Sequence, residues 1–246
     1  MPIENLAKEA ARVLEESERK GVTLRLIGGL AFYFRCPSAK LPGLAREYGD
    51  IDVVGHQKQT REIRELFENL GYTPRARFNA LQGQRRLIFE DLPNGRRIDV
   101  FLDVFEMCHK LELGKRLEVD RYTLSLADLL TTKLQIVEIN TKDMKDALSL
   151  FADYDLGESD DSLINGRFVA KLCGSDWGLY KTLTTNLEKL VVQAKECDFT
   201  EDVLRLVDGR ITRLKEMIEA FPKSTGWKMR ASVGERVRWY ELPEAT

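Results

Sequence analysis

The sequence predicts an α+β protein, with an N-terminal mixed/antiparallel sheet and flanking helices followed by a C-terminal helical bundle. Three observations predict it. As far as about Tyr122, short apolar runs alternate with amphipathic helical stretches. Within that region, Asn94–Gly95 separates two strand-like arms. Beyond it, strand-like alternation stops and helical periodicity continues to about Phe221. The change of period divides the chain into an α/β domain over 1–122 and a helical domain with a basic, aromatic tail over 123–246.

The elements follow in order. A helix over Ile3–Arg19 stops at Gly21, and Val22–Ile27 is a short strand. Gly28–Gly29 opens a brief helix that ends before Pro37, and 37–49, with two prolines and two glycines, is a loop. Asp50–Val54 is a strand and Gln57–Leu70 a helix. Arg85–Glu90 and Arg96–Asp103 form a hairpin, because Asn-Gly tolerates the positive φ angles of a tight turn. Helices are expected at 126–139, 142–154, 175–194 and 202–221, and the segment from Lys223 has no clear period.

Composition narrows the function classes. Lys plus Arg (38) nearly balances Asp plus Glu (40), and the net charge of -2 argues against coating nucleic acid through bulk charge. The four cysteines form no C-x-x-C pair, which suggests neither a disulfide framework nor a zinc ribbon. The N-terminus has no signal-peptide core, and no uncharged run approaches the ~20 residues that cross a bilayer. The expectation is a soluble cytoplasmic protein with no membrane partner. Serine-hydrolase, P-loop and zincin motifs are absent from the sequence.

The chemistry concentrates in acidic residues. On the strand Asp50–Val54, Asp50 and Asp52 point to one face while Ile51 points to the other. Two carboxylates ~4 Å apart repel by roughly 4 kcal/mol at an effective dielectric of ~20, and a divalent cation removes that repulsion. Mg²⁺ suits such hard oxygen ligands. Asp99, flanked by Ile98 and Val100, supplies a third carboxylate if its strand pairs beside Asp50–Val54. The set Asp50, Asp52 and Asp99 is then a candidate catalytic and metal-binding triad for two ions, with Asp99 assisting deprotonation of an attacking hydroxyl. Gly28 and Gly29, between strand and helix, would let phosphate reach backbone N–H groups. The plainer alternative is a solvated strand face and an ordinary turn.

These residues, in this order, resemble the polymerase β-type nucleotidyltransferase superfamily, and within it the abortive-infection (AbiEii-like) toxin group of small bacterial nucleotidyltransferases. The resemblance covers roughly residues 22–155. The first family motif matches Gly28, Gly29, Asp50 and Asp52, and the second matches Asp99. The later Lys and D-x-x-D motifs match Lys133 and Asp143–Met144–Lys145–Asp146. The resemblance implies transfer of a nucleoside monophosphate from an NTP, with Mg²⁺ as cofactor and release of pyrophosphate. The implied acceptor is RNA, a protein hydroxyl or a small molecule, and a partner protein of a toxin–antitoxin pair is a further implication. Two positions depart from the pattern. Leu30 stands where a small hydroxyl residue is common, and Asn140 lies where an Arg is often found.

Periodicity places Lys133 in a stripe with Leu126, Leu130 and Val137, where its ammonium requires an anionic partner. Either Lys133 reaches a nucleotide phosphate while Asp143 or Asp146 closes the site, or the three form a structural ion pair between helices. Six arginines in 75–97 fit first a charged solvent face on an edge hairpin, and otherwise a polyphosphate or RNA backbone. Trp227, Trp239 and Tyr240, interleaved with basic residues, would stack on bases or anchor the tail.

Overall fold

In the computed structural model, which describes residues 1–242, the chain is α+β and forms two units. The first comprises Met1–Arg35, Glu47–Phe105 and Leu111–Ser125; the second comprises Cys36–Arg46, Glu106–Lys110 and the chain from Leu126 onward.

The first unit is a five-stranded mixed sheet with helices. Its elements are α1 (Leu6–Arg19), β1 (Leu24–Ile27), α2 (Gly28–Arg35), β2 (Ile51–Gly55), α3 (Thr60–Asn69), β3 (Thr73–Pro74), α4 (Ala76–Gln82), β4 (Arg86–Asp91) and β5 (Arg96–Leu102). The strands lie in the order β1-β2-β5-β4-β3, with β2 and β5 parallel and the other pairs antiparallel. One face is dry. Leu26, Val53, Val100 and Leu87 run across it, each fully buried. Helix α3 packs on this side, where its Phe67 stacks on Phe89 at 4.7 Å. A β-carbon on Gly55 would lie 2.8 Å from Ile63 of the same helix, so glycine permits this close approach.

Several predicted elements are displaced. Helix α1 begins at Leu6 rather than Ile3, because Asn5 is its cap and accepts a hydrogen bond from the Lys8 N–H at 3.0 Å. The hairpin forms, but its turn is a 3₁₀ turn over Leu92–Asn94, and within the turn only Gly95 adopts positive φ (62°). β3 and α4 went unpredicted, since two residues cannot display alternation and seven barely display a helical period. They protect β4. Arg75 N–H bonds the Ile88 carbonyl, and the Asn79 side chain then both donates to that carbonyl and accepts from Ile88 N–H. A side-chain amide thus continues the ladder where β3 stops.

The second unit contains α5 (Leu126–Leu134), α6 (Thr141–Asp153), α7 (Gly166–Ser175), α8 (Trp177–Ala194), α9 (Glu201–Ala220) and α10 (Thr225–Val233). The helix expected over 126–139 ends at Leu134. Asn186 Nδ2 donates to the carbonyls of Leu134 and Ile136 at 2.8 and 2.7 Å, satisfying the chain end. Every residue of α5 is buried, so Lys133 lies in a wholly enclosed helix rather than on a stripe. The segment expected as one helix from 175 begins instead at Trp177, after Asp176, whose carboxylate caps α8 by accepting from Leu179 N–H. α7 and α10 were not anticipated; Ser224 caps the latter.

Candidate active site

The predicted residues fall into two groups. Gly28, Gly29, Asp50, Asp52 and Asp99 belong to the first unit, and Lys133, Asp143 and Asp146 to the second.

In the first group, strand register brings the acids together. Ile27 pairs with Asp52, and Asp52 with Asp99, so the two aspartates project from one face of neighbouring strands. Adjacent strands are about 4.8 Å apart, close enough for one ligand to touch both side chains. Asp50 precedes β2 by one residue and is exposed, whereas Asp52 is half-buried and Asp99 is 1% exposed. Gly28 follows β1 directly and has φ of +67°. A β-carbon there would overlap the Asp52 carboxylate, so two independent constraints select glycine at this position. Leu30, by contrast, is core, and its apolar side chain offers nothing to a phosphate.

Asp99 is held by two arginines. Arg86 brings Nε to 2.8 Å and Nη2 to 2.6 Å from Oδ1. Its guanidinium also lies over the rings of Phe101 and Phe78, at 5.1 and 5.9 Å from their centroids. Arg97 Nε lies 2.7 Å from Oδ2, an ion-pair contact that lacks hydrogen-bond alignment. The arginine-rich hairpin is therefore not simply a solvent face: Arg86 and Arg97 compensate Asp99, and Arg96 pairs with fully buried Asp91. These roles escaped the sequence reading because charge counting treats each arginine alike, while strand register decides which one meets an acid.

Asp50 and Asp52 carry the hard oxygen donors that a divalent cation such as Mg²⁺ prefers. Asp99 does not fit as a third ligand while guanidinium groups occupy both of its oxygens. Among the described residues, no group of three His, Cys, Asp or Glu side chains is placed to hold a metal ion. His56, just beyond β2, is placed with its Nδ1 3.0 Å from Asp103 Oδ1 and its Nε2 3.6 Å from Glu118.

In the second group, Lys133 Nζ lies 2.6 Å from Asp143 Oδ1 and 2.9 Å from Asp146 Oδ2. Arg46 adds a two-pronged contact to Asp146, with Nε to Oδ1 at 2.9 Å and Nη2 to Oδ2 at 2.7 Å. Asn140 caps α6 and donates Nδ2 to Asp143 Oδ2 at 2.8 Å. Burial alone would push the Lys133 ammonium toward a lower pKa, but the Asp146 and Asp143 carboxylates outweigh it and hold the pKa above the usual lysine value. Arg46, which meets Asp146, lies in the segment read as a loop. No local sequence pattern links positions 46 and 146.

The tail aromatics pack within the second unit. Trp239 meets Trp177 edge-on at 6.0 Å and donates its indole N–H to Thr182 at 3.1 Å, and Trp227 meets Tyr180 at 5.2 Å. The last four positions, 243–246, lie outside the described residues. Among the described residues, no helix is long and apolar enough to cross a membrane.

No protein-family model and no curated protein matches the chain. Among solved structures, it is similar to a STING-associated CdnE c-di-GMP synthase from Capnocytophaga granulosa, with 13% identity over 86% of this chain and 82% of that chain and a TM-score of 0.25.

Proposed function

We propose that the first unit carries a nucleotidyltransferase site, which transfers a nucleoside monophosphate from an NTP to a hydroxyl acceptor and releases pyrophosphate. The observation that supports it is the pairing of Asp52 with Asp99 beside a glycine that cannot be replaced without striking Asp52. In this reading, the Gly28–Gly29 backbone at the start of α2 receives the phosphates, because the first N–H groups of a helix have no partner within it. Asp50 and Asp52 would hold Mg²⁺, which when bound supplies charge neutralisation for the triphosphate. Asp99 accepts the proton of the attacking hydroxyl once a guanidinium withdraws. Lys133, Asp143 and Asp146 serve nucleotide binding only if phosphate replaces one of the carboxylates now bonded to Lys133.

Incubating the protein with each α-labelled NTP, total RNA and cell lysate tests the reading and identifies the acceptor. Asp52→Ala should abolish labelling; retained labelling in that variant excludes this site.

A second reading is a catalytically silent regulatory module, acting through a partner protein as in a toxin–antitoxin pair. The arginines on Asp99 and the burial of Leu30 favour it. Thermal melting with Mg²⁺ and each NTP separates the two, since a ligand that binds only the folded state raises its stability. No shift with any NTP supports the module.

A further inference from the structure

All three tryptophans of the chain line one open-sided pocket of about 300 Å³ in the second unit, together with Asp176, Gly178 and Arg230. Its walls are unequally held. Arg230 lies over the Trp177 ring at 4.8 Å and is itself pinned by the carbonyls of Gly234 and Val237, at 2.7 and 2.6 Å. Trp239 donates its indole N–H to Thr182, and its carbonyl lies so close to Gly178 that a β-carbon there would be 2.6 Å away. Trp227 differs. It stands on α10, a helix without a buried residue, and its indole nitrogen is buried with no acceptor among the described residues. A buried donor left unbonded is destabilising, and an acceptor brought by a ligand relieves it.

The charges narrow the ligand. Cations of the chain already lie over two of the three rings: Arg230 over Trp177, and Lys223 Nζ 5.7 Å from the Trp227 centroid. An added ammonium would meet like charge. A simple anion would meet the exposed carboxylate of Asp176, whose Oδ1 accepts from Leu179 N–H at 3.0 Å and whose Oδ2 accepts no hydrogen bond among the described residues. An uncharged planar heterocycle, with a donor for that carboxylate and an acceptor for the indole, satisfies both groups. The volume is at the lower end of the ~300–1,000 Å³ of ligand pockets, which suits one ring system rather than several. We propose that this pocket binds a single nucleobase, stacked on the tryptophans, accepting from Trp227 Nε1–H and donating to Asp176 Oδ2. The proposal is independent of catalysis by the first unit. The base is carried either by a nucleoside or by a single strand of nucleic acid, and the test separates the two.

Because every tryptophan lines the pocket, the whole tryptophan fluorescence of the chain reports on it. The full chain is titrated without Mg²⁺ against adenosine, guanosine, cytidine, uridine, a mixed-sequence single-stranded RNA, its abasic counterpart and choline. At least one nucleoside or the RNA should quench the fluorescence saturably. Trp227→Ala should weaken that binding about tenfold. Trp227→Phe keeps a ring without the N–H, and Asp176→Asn keeps the α8 cap without the charge; each should weaken binding several-fold. Folding of each variant is checked by thermal melting, and the last two decide the matter if Trp227→Ala does not fold. Asp52→Ala should bind as wild type does. Tighter binding of the RNA than of any nucleoside, lost in the abasic strand, assigns the base to a strand; equal or weaker binding of the RNA assigns it to a nucleoside. Saturable quenching by neither nucleosides nor RNA, equal binding of the abasic strand, or binding of choline alone overturns the proposal. So does affinity unchanged in the folded Trp227 and Asp176 variants, or lost in Asp52→Ala and kept in Trp227→Ala.

Discussion

Asp52 on β2 and Asp99 on β5 are register partners across the parallel pair of the sheet, and two arginines of the hairpin, Arg86 and Arg97, compensate the charge of Asp99. Breaking that compensation has a definite consequence. Arg86→Ala leaves a buried carboxylate with one loosely held partner, and should cost about 3–5 kcal/mol in denaturant unfolding. Arg97→Ala, at a more exposed side chain, should cost less. Equal losses would contradict the inequality of the two contacts.

Gly28→Ala combines a disfavoured backbone conformation with overlap against the Asp52 carboxylate. The strain should lower stability by about 1–3 kcal/mol. Displacing Asp52 should also abolish any nucleotide- and Mg²⁺-dependent rise in melting temperature. Gly95→Ala, at a position with positive φ and no atom near its added carbon, should show backbone strain alone. The pair separates conformation from contact.

Lys133→Met should destabilise by about 3–5 kcal/mol, because it strands two acids facing each other near Arg46. The pH dependence has a fixed sign. The folded pKa of Lys133 lies above its unfolded value, so its contribution is complete below the ordinary lysine pKa of about 10.4 and is lost as pH rises through the folded value. Chemical denaturation across alkaline pH should show a wild-type decline that is reduced in the variant. If Lys133→Met melts like wild type and changes only nucleotide affinity, the ion-pair role is wrong.

Asn79→Ala removes both side-chain bonds to the Ile88 backbone, leaving a buried N–H without its partner. A loss of about 2 kcal/mol is expected. Faster amide exchange at Ile88, with little change at Val100, would confirm a local origin.

His109 gives an acid-side prediction. Its Nε2 lies 2.8 Å from Thr182 Oγ1, which also accepts the Trp239 indole N–H. The threonine hydroxyl can therefore donate to a neutral imidazole, placing the ring proton on Nδ1. Burial lowers the His109 pKa. Its stabilisation is complete above the unfolded histidine value of about 6.5 and falls as pH drops through the lower folded value. Tryptophan fluorescence should report loosening of Trp239 in this acid range, and His109→Phe should remove that pH dependence.

The parts of this fold visible in the sequence are those governed by local rules. The Gly28–Gly29 junction, the β2 strand and the arms on either side of Asn94–Gly95 follow from backbone freedom and alternation. Helices α6 and α9 follow from periodicity and match the expected spans within one residue at most positions. α5 was overextended because its end depends on Asn186, which is distant in sequence. α4 was missed because its seven residues barely display a helical period.

The sequence by itself determined that a strand carries Asp52 with Asp50 at its edge, that glycine opens the helix, and that acidic and basic residues occur in nearly equal number. Only the tertiary structure decided which charges meet. Strand register gave Asp99 to Arg86 and Arg97, and helix packing gave Lys133 to Asp143 and Asp146 with Arg46 completing the set. Alternation and periodicity act over a few residues and can be read along the chain. Charge compensation acts over a few ångströms of space, and the chain must fold before those distances exist.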